Sequence, residues 1–182
     1  MTDFTNIEYL KTGNIRQRHA HNLLTKNRIL SLLREFDPLL VGTIPIGIDL
    51  PDSDLDIVCC AEDKDYFLQK VSKLFGNTKD FRISHRAVHE AVVANFWIDG
   101  FELEIFGQNI PTRQQNGYCH MLMEYRLLVE LGEEFRNEIV NLKKKGYKTE
   151  PAFAKALGLE GDPYEAVLTF DPQDIIRAGW HS

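Results

Sequence analysis

The sequence contains no apolar run that approaches the length of a membrane-spanning helix, so we expect no transmembrane segment and no membrane partner. Its first residues, 1–13, lack the basic region and apolar stretch of a signal peptide, and we predict a cytoplasmic protein. The three cysteines, Cys59, Cys60 and Cys119, form no Cys-x-x-Cys pair, which indicates reduced thiols packed as small apolar side chains. Internal repeats and low-complexity tracts are absent too, which argues against a repeat architecture.

An excess of positive charge is also missing. The 182 residues include 21 Lys and Arg against 27 Asp and Glu, a formal net charge of −6. A nucleic-acid-binding protein with this balance would need a concentrated basic face, and the sequence has only local basic clusters. We therefore expect a small-molecule partner and argue against nucleic acid, while the oligomeric state is left open. The hydrophobic content of 43% is ordinary for a globular protein with a real core.

The stretch from Val41 to Cys60 carries the clearest chemical signal. A short apolar strand, Leu39–Val41, ends at Gly42 and Thr43, and a loop rich in Gly, Pro and Asp follows. A small glycine turn of this kind can offer backbone N–H groups to phosphate oxygens. The loop leads into a second strand, predicted over 53–60.

Alternation along that second strand puts Asp54 and Asp56 on one face, and Leu55 and Ile57 on the other. The strand rise separates the two carboxylates by about 7 Å along the chain, and such a pair can bind hard divalent cations. The apolar neighbours indicate a buried strand, where two adjacent carboxylates would repel each other without a compensating cation.

A second source of carboxylates is a predicted hairpin with Asp99-Gly100 at its turn, a pair typical of type I′ turns. The strand before the turn spans 91–98, and the returning strand spans 101–106. Glu102 and Glu104 share the polar face of the returning strand. If this strand lies beside the Asp54–Asp56 strand, one of the two glutamates can complete a triad of acids. A two-metal site of this kind holds ions about 3.5–4 Å apart between carboxylates and substrate phosphates.

Helical periodicity and turn residues place the remaining elements. The predicted class is α+β, a mixed or antiparallel sheet flanked by helices, with a C-terminal helical segment. We predict a core over residues 1–110 and a helical segment over 111–182 that packs on it as one structural domain. Further elements are predicted as helices over 14–36, from the acids of 61–65 to Phe75, over 117–131 and 133–145, after a cap at 148–151, and over 164–170, and as a strand over 81–85.

The glycine segment after the first strand, and the acids that follow it, carry a family resemblance. Gly42-Thr43, then Gly47, then the run 51–57 that contains Asp54-x-Asp56, resembles the signature of the DNA polymerase β-like nucleotidyltransferase superfamily. The later Leu-Glu-Ile at Glu104 is similar to its third acidic element. Residues 99–105 also resemble the hairpin of small antibiotic nucleotidyltransferases, and the C-terminal helices resemble those of a bacterial branch of the superfamily.

The resemblance implies roles for the matching residues. Asp54 and Asp56 would bind Mg²⁺, with two ions expected, and Glu104 would be the third acid, either as a metal ligand or as the general base. Gly42, Thr43 and Ser53 would bind the phosphates of an NTP, with ATP favoured. The sequence differs from the family pattern at Thr43, where Ser is usual, and at Glu104, where Asp is frequent. Glu102 competes with Glu104 for its role.

The implied activity is transfer of a nucleoside monophosphate from an NTP to a hydroxyl group of a small-molecule acceptor. Two alternatives stay open: a non-catalytic nucleotide-binding or antitoxin-like partner module with the same fold, and a metal-dependent phosphohydrolase.

The roles of Arg113 and His120 also stay open. Arg113 could line a cleft, and His120, one helical turn from Glu124, could contact substrate or be a buried histidine bonded to a backbone carbonyl. A zinc pair at His85 and His89 has little support, because the segment is not clearly helical.

Overall fold

A five-stranded mixed sheet forms the centre of the N-terminal part of the chain. In the computed structural model, which describes residues 2–87 and 90–171, the strands are β1 (Leu39–Val41), β2 (Leu55–Cys60), β3 (Lys79–Arg86), β4 (Ala91–Ile98) and β5 (Phe101–Gln108). Their order across the sheet is β1-β2-β5-β4-β3. The β2–β5 pair is parallel and the other three pairs are antiparallel.

Most of the described helices lie towards the two ends of the chain. The α+β class, with a mixed sheet, flanking helices and C-terminal helices, is thereby confirmed. The helices are α1 (Ile15–Lys26), α2 (Ile29–Leu32), α3 (Thr43–Ile46), α4 (Lys64–Phe75), α5 (Asn116–Lys144), α6 (Thr149–Leu157) and α7 (Pro163–Thr169), with short 3₁₀ turns at Glu8–Thr12, Arg34–Phe36 and Thr112–Gln114. The long element α5 is broken at Gly132, where φ is 75° and ψ is −165°. The break agrees with the two separate helices predicted over 117–131 and 133–145.

The apolar face of the sheet is formed by alternate residues of neighbouring strands. Leu55 of β2, Leu103 of β5 and Phe96 of β4 are all fully buried in one core cluster. Phe75, at the end of α4, stacks on Phe96 with ring centroids 4.8 Å apart, so α4 covers this face. The opposite side of each strand is therefore left for the polar residues that alternate with the core residues.

The turn between β4 and β5 has the geometry that its sequence predicts. Asp99 has a φ of 46° and Gly100 a φ of 86°, so both central residues adopt the positive φ that a type I′ turn requires. This tight turn sets the antiparallel register of β4 and β5, in which Ile98 pairs with Phe101.

Two local predictions are wrong in detail. The helix expected over 14–36 is interrupted, because Asn27 caps α1 and Arg28 adopts a left-handed conformation with φ 55° before α2 begins. The segment after Gly42 is not wholly a loop, because Thr43–Ile46 forms a single helical turn. Apolar periodicity continues across Arg28, so periodicity alone does not locate that break. The Gly, Pro and Asp residues after Val41 are typical of a loop, so they give no sign of the helical turn.

The chain separates into two compact units. One comprises residues up to Gly47 together with Ser53–Tyr118, and the other comprises Ile48–Asp52 and the chain from Cys119 onward. The first unit contains the sheet and α1 to α4, and the second is helical. The predicted boundary after residue 110 therefore lies a few residues before the start of the second unit, and the predicted packing of the helical segment on the core stays a prediction.

The three cysteines are thiols outside any disulfide, with Cys59 buried in the core and Cys60 and Cys119 half-buried. Burial raises the pKa of the Cys59 thiol, which keeps it protonated and unreactive. Within the described residues, no helix has both the length and the apolar character needed to cross a bilayer.

Candidate functional site

Two of the three predicted acids lie on directly paired positions of neighbouring strands. Asp56 of β2 and Glu104 of β5 are register partners in the parallel ladder, as are the core residues Leu55 and Leu103 one position earlier. Paired residues of adjacent strands point to the same face, and parallel strands lie about 4.8 Å apart. Asp56 and Glu104 therefore share the face opposite the core, and both are half-buried.

Asp54 precedes β2 directly and is also half-buried. The ligand atoms of Asp54, Asp56 and Glu104 do not all lie within 4.8 Å of one another, since among the described residues only a different group meets that limit. Acids that share two ions about 3.5–4 Å apart are spread more widely than the ligands of one ion. The chemistry of the donor set, three carboxylates at the edge of a buried strand, fits hard divalent cations.

Gly42 lies directly beneath the Asp56 carboxylate. A Cβ atom at Gly42 would overlap Asp56 Oδ2 and would lie 3.2 Å from its Cγ. Gly42 also has a φ of 83° and a ψ of −155°, a conformation open almost only to glycine. Both facts require glycine here, and the backbone after β1 therefore approaches the Asp56 side chain closely.

Thr43 and Ser53 lie at the two ends of the segment that connects β1 to β2. Their hydroxyl groups are 3.5 Å apart, with Thr43 as the donor, and both residues are half-buried. The Arg16 guanidinium donates a hydrogen bond of 2.6 Å to the carbonyl oxygen of Ser53 and lies 4.5 Å from the centre of the Phe101 ring. Helix α1 therefore holds the residue that immediately precedes Asp54.

A second side chain of α1 holds the other end of the segment. The Gln17 amide donates hydrogen bonds to the carbonyl oxygens of Ile44 and Pro45, at 2.9 and 3.1 Å. Through these contacts Arg16 and Gln17 position the segment that leads into Asp54 and Asp56.

Glu102 and Glu104 have different surroundings. Glu102 forms an ion pair with Arg82 of β3, whereas Glu104 Oε2 accepts a hydrogen bond of 3.2 Å from the buried Asn95 amide. Only Glu104 is paired in register with Asp56. An outer hydrogen bond of this kind orients a ligating carboxylate, so the environment of Glu104 suits the third acid better than that of Glu102.

The two residues whose roles the sequence left open, Arg113 and His120, belong to different units of the chain. Arg113 is exposed, in the 3₁₀ turn before α5. His120 belongs to the helical unit, on α5, and one of its ring nitrogens lies within 4.8 Å of carboxylate oxygens of Glu124 and Glu150. His89, the partner of His85 in the weak zinc alternative, lies outside the described residues.

The His120 cluster is electrostatically unusual. Burial raises the pKa of the Glu124 carboxyl well above its ordinary value, and Glu150 adds to this while Lys143 opposes it. Burial lowers the pKa of the His120 imidazole and of the Lys143 ammonium. The spacing of His120 and Glu124 indicated their shared helix face, but nothing in the sequence pattern marked Glu150 or Lys143 as neighbours.

The fold is that of the nucleotidyltransferases, which three solved structures illustrate. The chain matches the RNA terminal uridylyl transferase Cid1 with a TM-score of 0.58 and 13% identity, over 80% of this chain and 48% of that one. It matches the Cid1 poly(U) polymerase bound to MgGTP with a TM-score of 0.56 and 13% identity, over 77% and 48%. The polymerase core of TRAMP, an RNA surveillance complex, gives a TM-score of 0.52 and 15% identity, over 93% and 55%.

Residues 22–170 match the family described as Domain of unknown function (DUF4269), and the chain belongs to this family. The chain spans about half the length of the polymerases it resembles, with 48% of Cid1 covered. No curated protein matches its sequence. The resemblance to the polymerase β-like superfamily is confirmed at the level of the fold, and the bacterial branch stays a prediction.

One expectation about partners is wrong. The net charge of −6 argued against nucleic acid, yet solved structures with this fold include an RNA terminal uridylyl transferase and the polymerase core of an RNA surveillance complex. Net charge averages over the whole surface, whereas a strand of nucleic acid needs only a local basic path. The overall charge therefore does not exclude an RNA partner.

Proposed function

We propose that this protein is a Mg²⁺-dependent nucleotidyltransferase that moves a nucleoside monophosphate from an NTP to a hydroxyl group of an acceptor. The observation that carries the proposal is the pairing of Asp56 with Glu104 on the face opposite the core, with Asp54 two residues before Asp56. The close approach of Gly42 to the Asp56 carboxylate supports it, because it brings main-chain atoms of the connecting segment to the acids.

Asp54, Asp56 and Glu104 would hold the metal. Mg²⁺ bound by these carboxylates would neutralise triphosphate charge and favour deprotonation of the acceptor hydroxyl. Asn95 holds one carboxylate oxygen of Glu104 in place, which leaves this acid oriented as a metal ligand or as the base that accepts the hydroxyl proton. The acceptor oxygen forms a bond to the α-phosphorus, the bond to the bridging oxygen breaks, and pyrophosphate leaves.

The phosphates would be bound by main-chain N–H groups around Gly42 and Thr43 and by the hydroxyl groups of Thr43 and Ser53. Arg16 and Gln17 keep both ends of this segment in position through their bonds to backbone carbonyls. We propose ATP as the nucleotide; crystals of the structurally similar Cid1 polymerase contain MgATP or MgGTP.

The acceptor belongs to one of two classes. A small-molecule hydroxyl is the acceptor expected from the sequence. The 3′-hydroxyl of RNA is the second candidate, and the RNA terminal uridylyl transferase activity of Cid1 favours it. A product assay separates them: labelled NTP is incubated with RNA oligonucleotides or with pooled hydroxyl-bearing metabolites, and nucleotide transfer is followed on each.

The first test is thermal unfolding with Mg²⁺ and each NTP. A ligand at about 100 times its Kd stabilises the native state by about 2.7 kcal/mol, which for a chain of this size raises Tm by roughly 5–10 °C. We expect this shift in the wild type and its loss in the Asp54→Asn/Asp56→Asn variant. The exposed pair Glu62→Gln/Glu160→Gln changes the net charge equally and should keep the shift.

Three results would contradict the proposal. Absence of a shift with every NTP at millimolar concentration would favour a partner module that binds no nucleotide. A shift without pyrophosphate release on any acceptor would favour a non-catalytic nucleotide-binding module. Release of inorganic phosphate in place of pyrophosphate would identify a phosphohydrolase.

A further inference from the structure

We propose that His120, Glu124 and Glu150 form a binding site for one divalent transition-metal ion in the helical unit, separate from the acids of the sheet. The three residues each offer one ligand atom, and these atoms all lie within 4.8 Å of one another. The proposal does not depend on the proposed nucleotidyl transfer.

The ligands come from two helical elements of the unit, α5 and α6. His120 and Glu124 are four residues apart on α5, so their side chains lie on one face of the helix, one turn apart. Glu150 is in the first turn of α6, beyond the short connection that follows α5. The triad therefore joins the part of α5 that precedes Gly132 to α6 within one unit, and an ion bound there would link these two helical segments.

The geometry leaves room for an ion of the right size. An ion at the centre of a triangle with sides no longer than 4.8 Å would lie at most roughly 2.8 Å from each ligand atom. Zn–N and Zn–O distances are about 2.0–2.2 Å, so side-chain movements of under about 1 Å would complete coordination. Three protein ligands would leave a further position for water or another group.

A buried ring nitrogen of His120 without a hydrogen-bond partner among the described residues is a second, independent observation that supports the site. Only 5% of His120 is exposed, and its Nδ1 atom is buried with no hydrogen-bond partner among the described residues. The alternative that the sequence left open, a buried histidine held through a backbone carbonyl, does not account for this nitrogen. A buried ring nitrogen without a partner is costly unless it binds something, and neutral imidazole is a common ligand of transition metals.

The charge of the site also calls for a cation. Only 3% of Glu124 is exposed, and a second carboxylate, Glu150, lies beside it. Lys143 is the nearby cation, but its ammonium group donates a hydrogen bond of 2.8 Å to the carbonyl oxygen of Ile48. No direct ion pair joins Lys143 to either glutamate within the described part of the chain. Two carboxylates at a mostly buried position are stabilised when a cation binds between them.

The ligand set indicates the class of metal. One imidazole and two carboxylates suit first-row divalent ions such as Zn²⁺, Mn²⁺ or Co²⁺, whereas sites for Mg²⁺ and Ca²⁺ are built from oxygen ligands. The site would therefore prefer a different class of ion from the three carboxylates of Asp54, Asp56 and Glu104.

Co²⁺ is the probe for the test, because its visible absorption reports coordination by nitrogen and oxygen ligands directly. The protein of 182 residues is treated with chelator, passed into metal-free buffer and titrated with Co²⁺, and Zn²⁺ is then added as a competitor. We expect the visible bands of a low-coordinate ion to saturate at one Co²⁺ per chain, and these bands to be removed by one equivalent of Zn²⁺.

The variants test each ligand. Glu124→Gln keeps the shape of the side chain, and His120→Gln removes the imidazole; each should weaken Co²⁺ binding by more than about tenfold, since even outer contacts of a metal site are worth 10–100-fold. Glu138→Gln changes an exposed glutamate in the part of α5 after Gly132, and this variant should bind Co²⁺ as the wild type does. Asp56→Asn should also keep these bands.

The wild-type titration alone can overturn the proposal, whether or not a variant folds. Absence of stoichiometric binding, or bands of an octahedral aquo ion only, would refute the site. Bands that persist in both Glu124→Gln and His120→Gln, or that disappear in Asp56→Asn alone, would place the ion elsewhere and refute it too.

Discussion

Replacement of Gly42 by alanine tests the close approach between the backbone and Asp56. The φ of 83° and ψ of −155° at Gly42 are unfavourable for any residue with a Cβ, at a cost of about 1–3 kcal/mol. For a chain of this size that cost lowers Tm by roughly 2–12 °C. The added Cβ would also overlap the Asp56 carboxylate. Because that carboxylate is the end of a side chain, it can rotate away at little cost, and we expect its displacement to remove Mg²⁺-dependent nucleotide binding.

Gly100→Ala is the matched control. Gly100 has a φ of 86°, close to that of Gly42, but a Cβ there would meet nothing within 4 Å. We expect both variants to lose stability in thermal unfolding through backbone strain. Only Gly42→Ala should also lose the rise in Tm that Mg²⁺ and NTP produce in the wild type.

The reasoning would be refuted by a Gly42→Ala protein that keeps the full Mg²⁺- and NTP-dependent rise in Tm. It would be refuted equally if Gly100→Ala lost that rise, since strain alone would then account for the effect. Circular dichroism on both variants verifies that the proteins compared are folded.

Three further predictions address the acids, the support from α1 and a buried hydroxyl. Glu104→Gln should lower the nucleotide transfer rate by about 10²–10⁴-fold if Glu104 is the general base, whereas Glu102→Gln should leave the rate close to that of the wild type. Arg16→Ala removes a charged hydrogen bond to the Ser53 carbonyl, so we expect a loss of about 1.5–3 kcal/mol and faster hydrogen exchange at 53–54. Tyr9→Phe should raise stability by about 1 kcal/mol at neutral pH in denaturant unfolding, because the Tyr9 hydroxyl is buried without a hydrogen-bond partner among the described residues.

The pH dependence of Tyr9→Phe has a definite sign. Burial raises the pKa of Tyr9 above the ordinary value of 10.0, so above that pH the unfolded chain releases a proton that the folded chain retains. Wild-type stability therefore falls as pH rises past 10, and the variant should lack this part of the decline. Equal slopes in the two proteins would contradict the assignment.

Glu102→Gln is the matched control for Glu104→Gln, and Arg18→Ala is the matched control for Arg16→Ala. The Glu102–Arg82 pair is partly exposed, with 26% and 57% of the side chains accessible, and its loss should cost less than about 1 kcal/mol. A Glu102→Gln protein that loses activity while Glu104→Gln retains it would reverse the assignment of the third acid. For α1, Arg18→Ala removes an exposed arginine two residues away, and equal exchange at 53–54 in both arginine variants would argue against the role of Arg16.

Much of the local structure follows from the sequence because it depends on neighbours in the chain. The alternation of Leu55 and Ile57 with Asp54 and Asp56 is a property of any strand, and it separates core from polar face before a partner strand is known. The Asp99-Gly100 turn is equally local, since two residues that accept positive φ are enough to specify it.

Register across the sheet was decided only in the tertiary structure. Asp56 and Glu104 are 48 positions apart, and a shift of two residues in the β2–β5 pairing would have put Glu102 opposite Asp56 without exposing any core residue. The break at Arg28 and the helical turn at Thr43–Ile46 do not follow from the sequence either, because apolar periodicity continues across Arg28 and the Gly, Pro and Asp residues after Val41 are typical of a loop.

The sequence by itself determined the alternating faces, the turn residues and the fold class, because each depends on the periodicity and propensity of adjacent residues. Which acids pair, which glycine lies beneath Asp56, and which glutamate of α6 joins His120 depend on contacts between segments distant in the chain. Such contacts come from the packing of whole elements, whose geometry no local pattern encodes.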